Sequence, residues 1–151
     1  MTEPVVSIRP VEDDDLPILY EHQADPIANA MAVVPAKDRP AFDAHWVKIR
    51  ANETGLARTI VAGGTVVGMV LSWLDGDVRM VGYWIGREFW GRGYATRGLA
   101  LVAAEIGDRP LFASIADSNI GSRRVLEKCG FARAGELREE DGVPASMYRL
   151  D

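Results

Sequence analysis

A mixed α+β domain is the fold this sequence predicts, and three observations carry that prediction. Three β-branched runs follow one another between residues 58 and 85, separated by turns at Gly63-Gly64 and Asp75-Gly76, which reads as three consecutive antiparallel strands. A loop with two glycines, residues 90–96 (WGRGYAT), then leads straight into a helical pattern. The full order of elements is β-α-α-β-β-β-α-β-α-β-β, which lacks the regular βαβ alternation of a doubly wound nucleotide fold.

Each element has a local cause. Val5 to Arg9 is a strand ended by Pro10. Glu12 to Gln23 reads as a helix: Asp13, Asp14 and Asp15 suit the positive end of its dipole, Pro17 falls early enough to be tolerated, and Leu16, Leu19 and Tyr20 share a face. Asp25 to Lys37, with Pro26 and Pro35, reads as irregular. Asp38 is an N-cap with Pro40 just inside a second helix, where Phe42, Trp46 and Ile49 form one buried face. Arg58 to Ala62, Thr65 to Leu74 and Val78 to Ile85 are the three hairpin strands. The helix after the glycine loop buries Ala95, Leu99, Val102, Ala103 and Ile106 on one stripe and stops at Gly107. Leu111 to Ala116 is a short fifth strand. A helix from about Asn119 to Cys129 is closed by Gly130, with Phe131 as the apolar partner of the glycine cap. Phe131 to Leu137 and Pro144 to Leu150 make a last hairpin around Asp141-Gly142.

Bulk properties narrow the function. A chain of 151 residues suits one domain, 1–151, with its own core. A net charge of −5 argues against nucleic acid or an anionic membrane as the main partner, and suits a basic or amine-bearing one. Cys129 is the only cysteine, so no intramolecular disulfide forms, in keeping with a reducing cytoplasm. The first nine residues (MTEPVVSIR) lack the basic start and apolar block of a signal peptide, and no apolar run approaches the length of a membrane span.

The glycine loop holds the chemistry. A strand that turns on glycines into a helix start presents free backbone N–H groups and the positive end of a helix dipole, a geometry that binds phosphate. Arg87, Arg92 and Arg97 stand there against the single carboxylate of Glu88. A pyrophosphate-bearing ligand is the natural guest. A dinucleotide fold would carry this loop after its first strand, not its fourth, and no G-x-x-x-x-G-K-[ST] stretch exists for ATP.

Two blocks, residues 82–96 (GYWIGREFWGRGYAT) and 115–131 (IADSNIGSRRVLEKCGF), together resemble the GNAT superfamily of acyl-CoA-dependent N-acyltransferases, most closely its RimJ/RimL-type branch. The branch includes acetyltransferases of ribosomal-protein N-termini. The resemblance covers nearly the whole chain. It implies a mixed, mostly antiparallel sheet flanked by about four helices, with the fourth and fifth strands splayed at a bulge. It implies acetyl-CoA as cosubstrate and no metal. The cofactor contacts it implies are Ile85, Gly86, Gly91, Arg92, Gly93, Tyr94, Ala95, Thr96, Asn119 and Ser122. Within the family's Q/R-x-x-G-x-G/A loop, Gly93 and Ala95 take the small positions, and Trp90 stands where Q or R is usual.

The implied reaction is acetyl transfer to a primary amine by direct attack in a ternary complex. The backbone N–H of Ile85 would polarise the acetyl carbonyl. Many family members protonate the leaving thiolate with a tyrosine four residues before the Gly-Phe pair. Here that residue is Leu126, so the Ser122 hydroxyl is the implied hydrogen-bond donor to the sulfur. Asn119 and Ser122 also suit a helix cap. Arg123 and Arg124 suit either an adenosine phosphate or a solvated helix face. The general base is unassigned among Asp75, Asp77, Glu136, Glu139 and Glu140. The acceptor is a protein N-terminus or a small amine, and the C-terminal strands are the expected contact of a homodimer by family analogy. The alternative is a non-catalytic acyl-CoA-binding sensor or regulatory domain.

Overall fold

The computed structural model describes residues 3–140 and 143–151, and for 136–140 the backbone alone. Its elements are β1 (Val6–Pro10), a 3-10 turn (Asp13–Asp15), α1 (Leu16–Ala24), α2 (Pro26–Ala32), α3 (Arg39–Ala51), β2 (Leu56–Ala62), β3 (Thr65–Asp75), β4 (Val78–Ile85), a second 3-10 turn (Arg87–Phe89), α4 (Tyr94–Glu105), β5 (Leu111–Ala116), α5 (Ile120–Lys128), β6 (Ala132–Glu140) and β7 (Val143–Leu150). Seven strands form one sheet in the order β1-β2-β3-β4-β5-β7-β6. All pairs are antiparallel except β4 with β5. The last hairpin turn, Asp141-Gly142, lies outside the described residues.

Alternation along the strands sends side chains to two cores. On one face Leu99, Val102 and Ala103 of α4 and Leu126 of α5 pack on Ile60, Val70, Val81 and Ile85. On the other, Leu19 of α1 and Phe42 and Trp46 of α3 pack on Met69, with Leu71 and Trp84 alongside. β3 breaks its alternation once. Val61 pairs with Val66 and Ile60 with Gly68, so Val67 is an extra residue, a bulge beside the end of β4. The expected irregularity thus sits in β3, while the β3–β4 register runs unbroken from Asp75↔Val78 to Gly68↔Ile85.

Two elements depart from the sequence reading. The segment expected to be irregular contains α2, so the sheet carries five α-helices and not about four. Asp25 caps it, accepting from the N–H groups of Ile27 (2.9 Å) and Ala28 (3.4 Å), with Pro26 at the first helical position. The acidic run is a 3-10 turn, not the first turn of α1, because Asp15 turns inward. Its carboxylate is 2 % exposed, accepts two bonds from Arg9 (2.7 and 2.9 Å), and takes further bonds from the Glu12 N–H (2.8 Å) and the Thr59 hydroxyl (2.8 Å). That knot ties β1 and the start of α1 to β2.

Burial alone would raise the Asp15 pKa, but Arg9, the Glu12 N–H and Thr59 together hold it below the usual carboxylate value. A carboxyl depressed in the folded state stabilises the fold above its unfolded pKa of about 3.9, and that stabilisation is lost as pH falls through the folded pKa. Asp15→Asn is expected to lower the unfolding free energy by about 3 kcal/mol at pH 7, the low end for a broken buried pair because Arg9 keeps some solvent. Urea unfolding at pH 7 and in acid checks this: the gap between wild type and variant should close as the pH drops below about 3.9.

Candidate functional site

β4 and β5 pair only at Arg79↔Leu111 and Met80↔Phe112, and then part. Beyond that point β5 keeps its ladder with β7, from Ala113↔Tyr148 to Ala116↔Ala145, and β4 keeps its ladder with β3. The parting leaves one edge of β4 facing a gap. Which amides face it follows from alternation. The Gly86 N–H donates to Val67 O (2.9 Å), so the N–H and C=O of Ile85, one residue back, point away from β3. The Ile85 carbonyl is taken by the Trp90 indole N–H at 3.0 Å. Its N–H faces the opening.

Gly68 makes this arrangement possible. A Cβ there would lie 2.2 Å from the Trp84 carbonyl oxygen and 2.7 Å from Ile85 Cδ1, closer than real atoms approach. Only glycine lets β3 lie this tightly against the end of β4.

The glycine loop comes next. Gly91 and Gly93 have φ of 76° and 79°, and Gly93 occupies the N-cap of α4, where no side chain caps the helix. The first helical bond runs from the Arg97 N–H to Gly93 O (3.1 Å), so the N–H groups of Tyr94, Ala95 and Thr96 have no helical acceptor. Arg97 braces the loop by donating to Arg92 O (3.3 Å) and to Glu3 (3.3 Å). Arg87 pairs with Asp25 at 2.6 Å, which leaves Arg92, exposed on the loop, as its outward cation.

A cleft of about 530 Å³ runs through the gap. Gly91, Gly93, Tyr94, Ala95 and Thr96 line one end; Ile85, Asn119 and Ser122 also line it, whereas Gly86 and Arg92 do not. Asn119 caps α5, its Oδ1 accepting from the Ser122 N–H at 3.2 Å. From across the gap the Tyr83 hydroxyl donates to Ser122 O (3.2 Å), and burial pushes the Tyr83 pKa up to about 12. Arg124 lines the cleft, while Arg123 is paired with Glu127 (2.9 Å) on the exposed face of α5.

The remaining sequence-derived candidates fall elsewhere. Asp75 and Asp77 are exposed at the far end of β4, about 25 Å of extended strand from Ile85. The side chains of Glu136, Glu139 and Glu140 lie outside the described residues. Leu126 is fully buried in the α4–α5 core. Cys129 is half-buried, its thiol donating to Thr96 O (3.3 Å), and burial pushes its pKa up.

Three features were not read from the sequence. Ala28, Met31 and Ala32 of α2, with Val34, also line the cleft. The signal for α2 was present in Asp25-Pro26, an N-cap followed by proline at the first helical position. The Tyr83–Ser122 contact joins residues far apart in the chain and had no local signal. His22 is 8 % exposed with its ring against Gly86, and its buried Nδ1 has no partner among the described residues. Burial pushes its pKa below the usual value, against the smaller opposing pull of Glu88 and Glu21.

The acetyltransferase (GNAT) domain family matches residues 6–132, from β1 to the start of β6. This chain belongs to that family. Solved structures agree on the fold. An acetyltransferase of the GNAT family from Bacillus anthracis superposes with a TM-score of 0.81 at 16 % identity, over 99 % of this chain and 98 % of that one. Spermidine N-acetyltransferase from Vibrio cholerae, in complex with CoA and spermine, gives 0.82 at 14 % identity over 96 % and 94 %. An aminoglycoside acetyltransferase in complex with coenzyme A gives 0.78 at 21 % over 95 % and 94 %. Curated protein sequences contain no match.

Gly68→Ala is expected to force β3 and β4 apart and to cost about 1–3 kcal/mol of stability, as overpacking does. Urea unfolding checks this. An unchanged midpoint would mean that the strand contact yields without strain.

Proposed function

We propose that this chain, as one domain over 1–151, is an acetyl-CoA-dependent N-acetyltransferase that acylates a primary amine by direct attack in a ternary complex. The observation that carries the reading is the parted β4–β5 edge. The Ile85 N–H faces the gap, and the uncapped start of α4 stands at one end of the same cleft. The chain's residues fit the ligand: three amides without helical acceptors and the positive end of a helix dipole suit a diphosphate, and a strand edge suits the amide-rich pantetheine arm.

Acetyl-CoA, when bound, supplies the thioester. The N–H groups of Tyr94, Ala95 and Thr96 hold its diphosphate, with Gly91 and Gly93 giving the backbone its approach. The Ile85 N–H donates to the carbonyl oxygen, where negative charge grows during attack. The Ser122 hydroxyl donates to the departing sulfur. A C–N bond forms as the C–S bond breaks, the sulfur leaves as a thiolate of pKa about 8.5, and the amine's surplus proton passes to water. An α-amine, with a pKa of about 7.7–8.0, reaches its neutral form with little help. That suits a peptide N-terminus, the acceptor of the RimJ/RimL-type branch, with a small amine as the other acceptor.

The burial of Leu126 where many relatives place a tyrosine favours a second reading, a domain that binds acyl-CoA without turnover. Thiol release in the presence of amines, peptides and aminoglycosides separates the two: binding by calorimetry with no acetyl loss on any acceptor selects the sensor. Gly93→Val should weaken acetyl-CoA by more than about tenfold, because a β-branched residue at φ 79° costs about 1–2 kcal/mol and displaces the loop. Ser122→Ala should leave the Kd unchanged and lower kcat by up to about tenfold, the value of one hydrogen bond.

A further inference from the structure

The part of the cleft wall formed by α2 has a character of its own. α2 (PIANAMA) carries no charged side chain; Ala28 is buried, whereas Ile27 and Met31 are exposed. Met31 is 43 % exposed and Val34 41 %, and both line the cleft that the Ile85 amide faces. Trp84 lines it from the sheet. Exposed apolar surface continuous with a reaction centre marks a place where something apolar is bound.

The wall is also held in place at some cost. Asp25 caps α2 with one carboxylate oxygen and accepts from Arg87, just beyond Gly86, with the other (2.6 Å), which clamps the helix to the end of β4. At the far end of α2 the chain turns on Val33 at φ 55°, a left-handed conformation that a β-branched residue adopts only against strain. The turn is closed by Val33 N–H to Ala30 O (3.4 Å) and Val34 N–H to Asn29 O (3.0 Å). Strain kept beside a cleft points to function.

We propose that the acceptor is a primary amine borne on an apolar group, aromatic or branched aliphatic, whose hydrocarbon lies against Met31, Val34 and Trp84 with its nitrogen toward the Ile85 amide. The inference rests on the N-acetyltransferase reading above. Its physical logic is double. Burying the hydrocarbon supplies binding energy, and the same apolar wall disfavours an ammonium, which helps deliver the neutral nucleophile. A polycationic acceptor would have to press further ammonium groups against this surface.

Steady-state thiol release with 2-phenylethylamine, a leucine-initiated pentapeptide, spermidine and kanamycin tests it, alongside acetyl-CoA calorimetry. The first two should exceed the polycations in kcat/KM by about tenfold or more, the discrimination an apolar pocket gives. The better of the two identifies the source as a free amine or a peptide N-terminus. Met31→Asp should lower kcat/KM for the apolar acceptors by about tenfold through KM, with the acetyl-CoA Kd unchanged. Ile27→Asp, on an exposed residue of the same helix outside the cleft, should leave both unchanged. Polycations acetylated as well or better, or an unaffected Met31→Asp, overturns the inference alone. Binding of acetyl-CoA with no transfer to any amine selects the sensor and overturns the N-acetyltransferase reading, and this inference with it. Failure of acetyl-CoA to bind overturns the N-acetyltransferase reading and this inference with it.

Discussion

A sheet that loses its ladder in the middle leaves backbone N–H and C=O groups that must find other partners. The parting of β4 from β5 after two paired residues imposes that constraint on this protein. Each strand survives it because its other edge is fully paired, β4 with β3 and β5 with β7. The Ile85 carbonyl, which would otherwise face the gap, is covered by the Trp90 indole. Trp90 therefore anchors the start of the glycine loop to the end of β4.

The rest of the architecture holds that opening in shape. The two helical layers grip the sheet from opposite faces, α4 and α5 on one side and α1 and α3 on the other. The cleft passes between them, lined by the N-terminus of α4, with backbone donors and a positive dipole end, and by apolar side chains of α2. The Val67 bulge and Gly68 set the tightness of β3 against β4, and thereby where the Ile85 amide points. The buried Asp15 knot does a similar service farther off, joining β1 and the start of α1 to β2.

Much of the fold was legible because its signals are local. The glycine turns at 63–64 and 76, the Asp38 cap with Pro40, and the Gly130 closure of α5 each lie within a few residues of the element they bound. The loop at 90–96 was legible for the same reason: a helix start on glycine is a short-range pattern. The inward turn of Asp15 was not, because its partners Arg9 and Thr59 belong to two different strands. α2 was obscured by two prolines that read as breakers, although Pro26 stands where a helix accepts one.

By itself, the sequence determined the order of the strands and of every helix but α2, the glycine loop ahead of α4 and the family, since all of these depend on residue type and close spacing. Only the tertiary structure decided where β4 parts from β5, that Tyr83 meets Ser122 across the gap, and that α2 lines the cleft. The reason is that strand register and the packing of distant helices set those contacts. Both are sums over many weak interactions between residues far apart in the chain, and no local pattern encodes them.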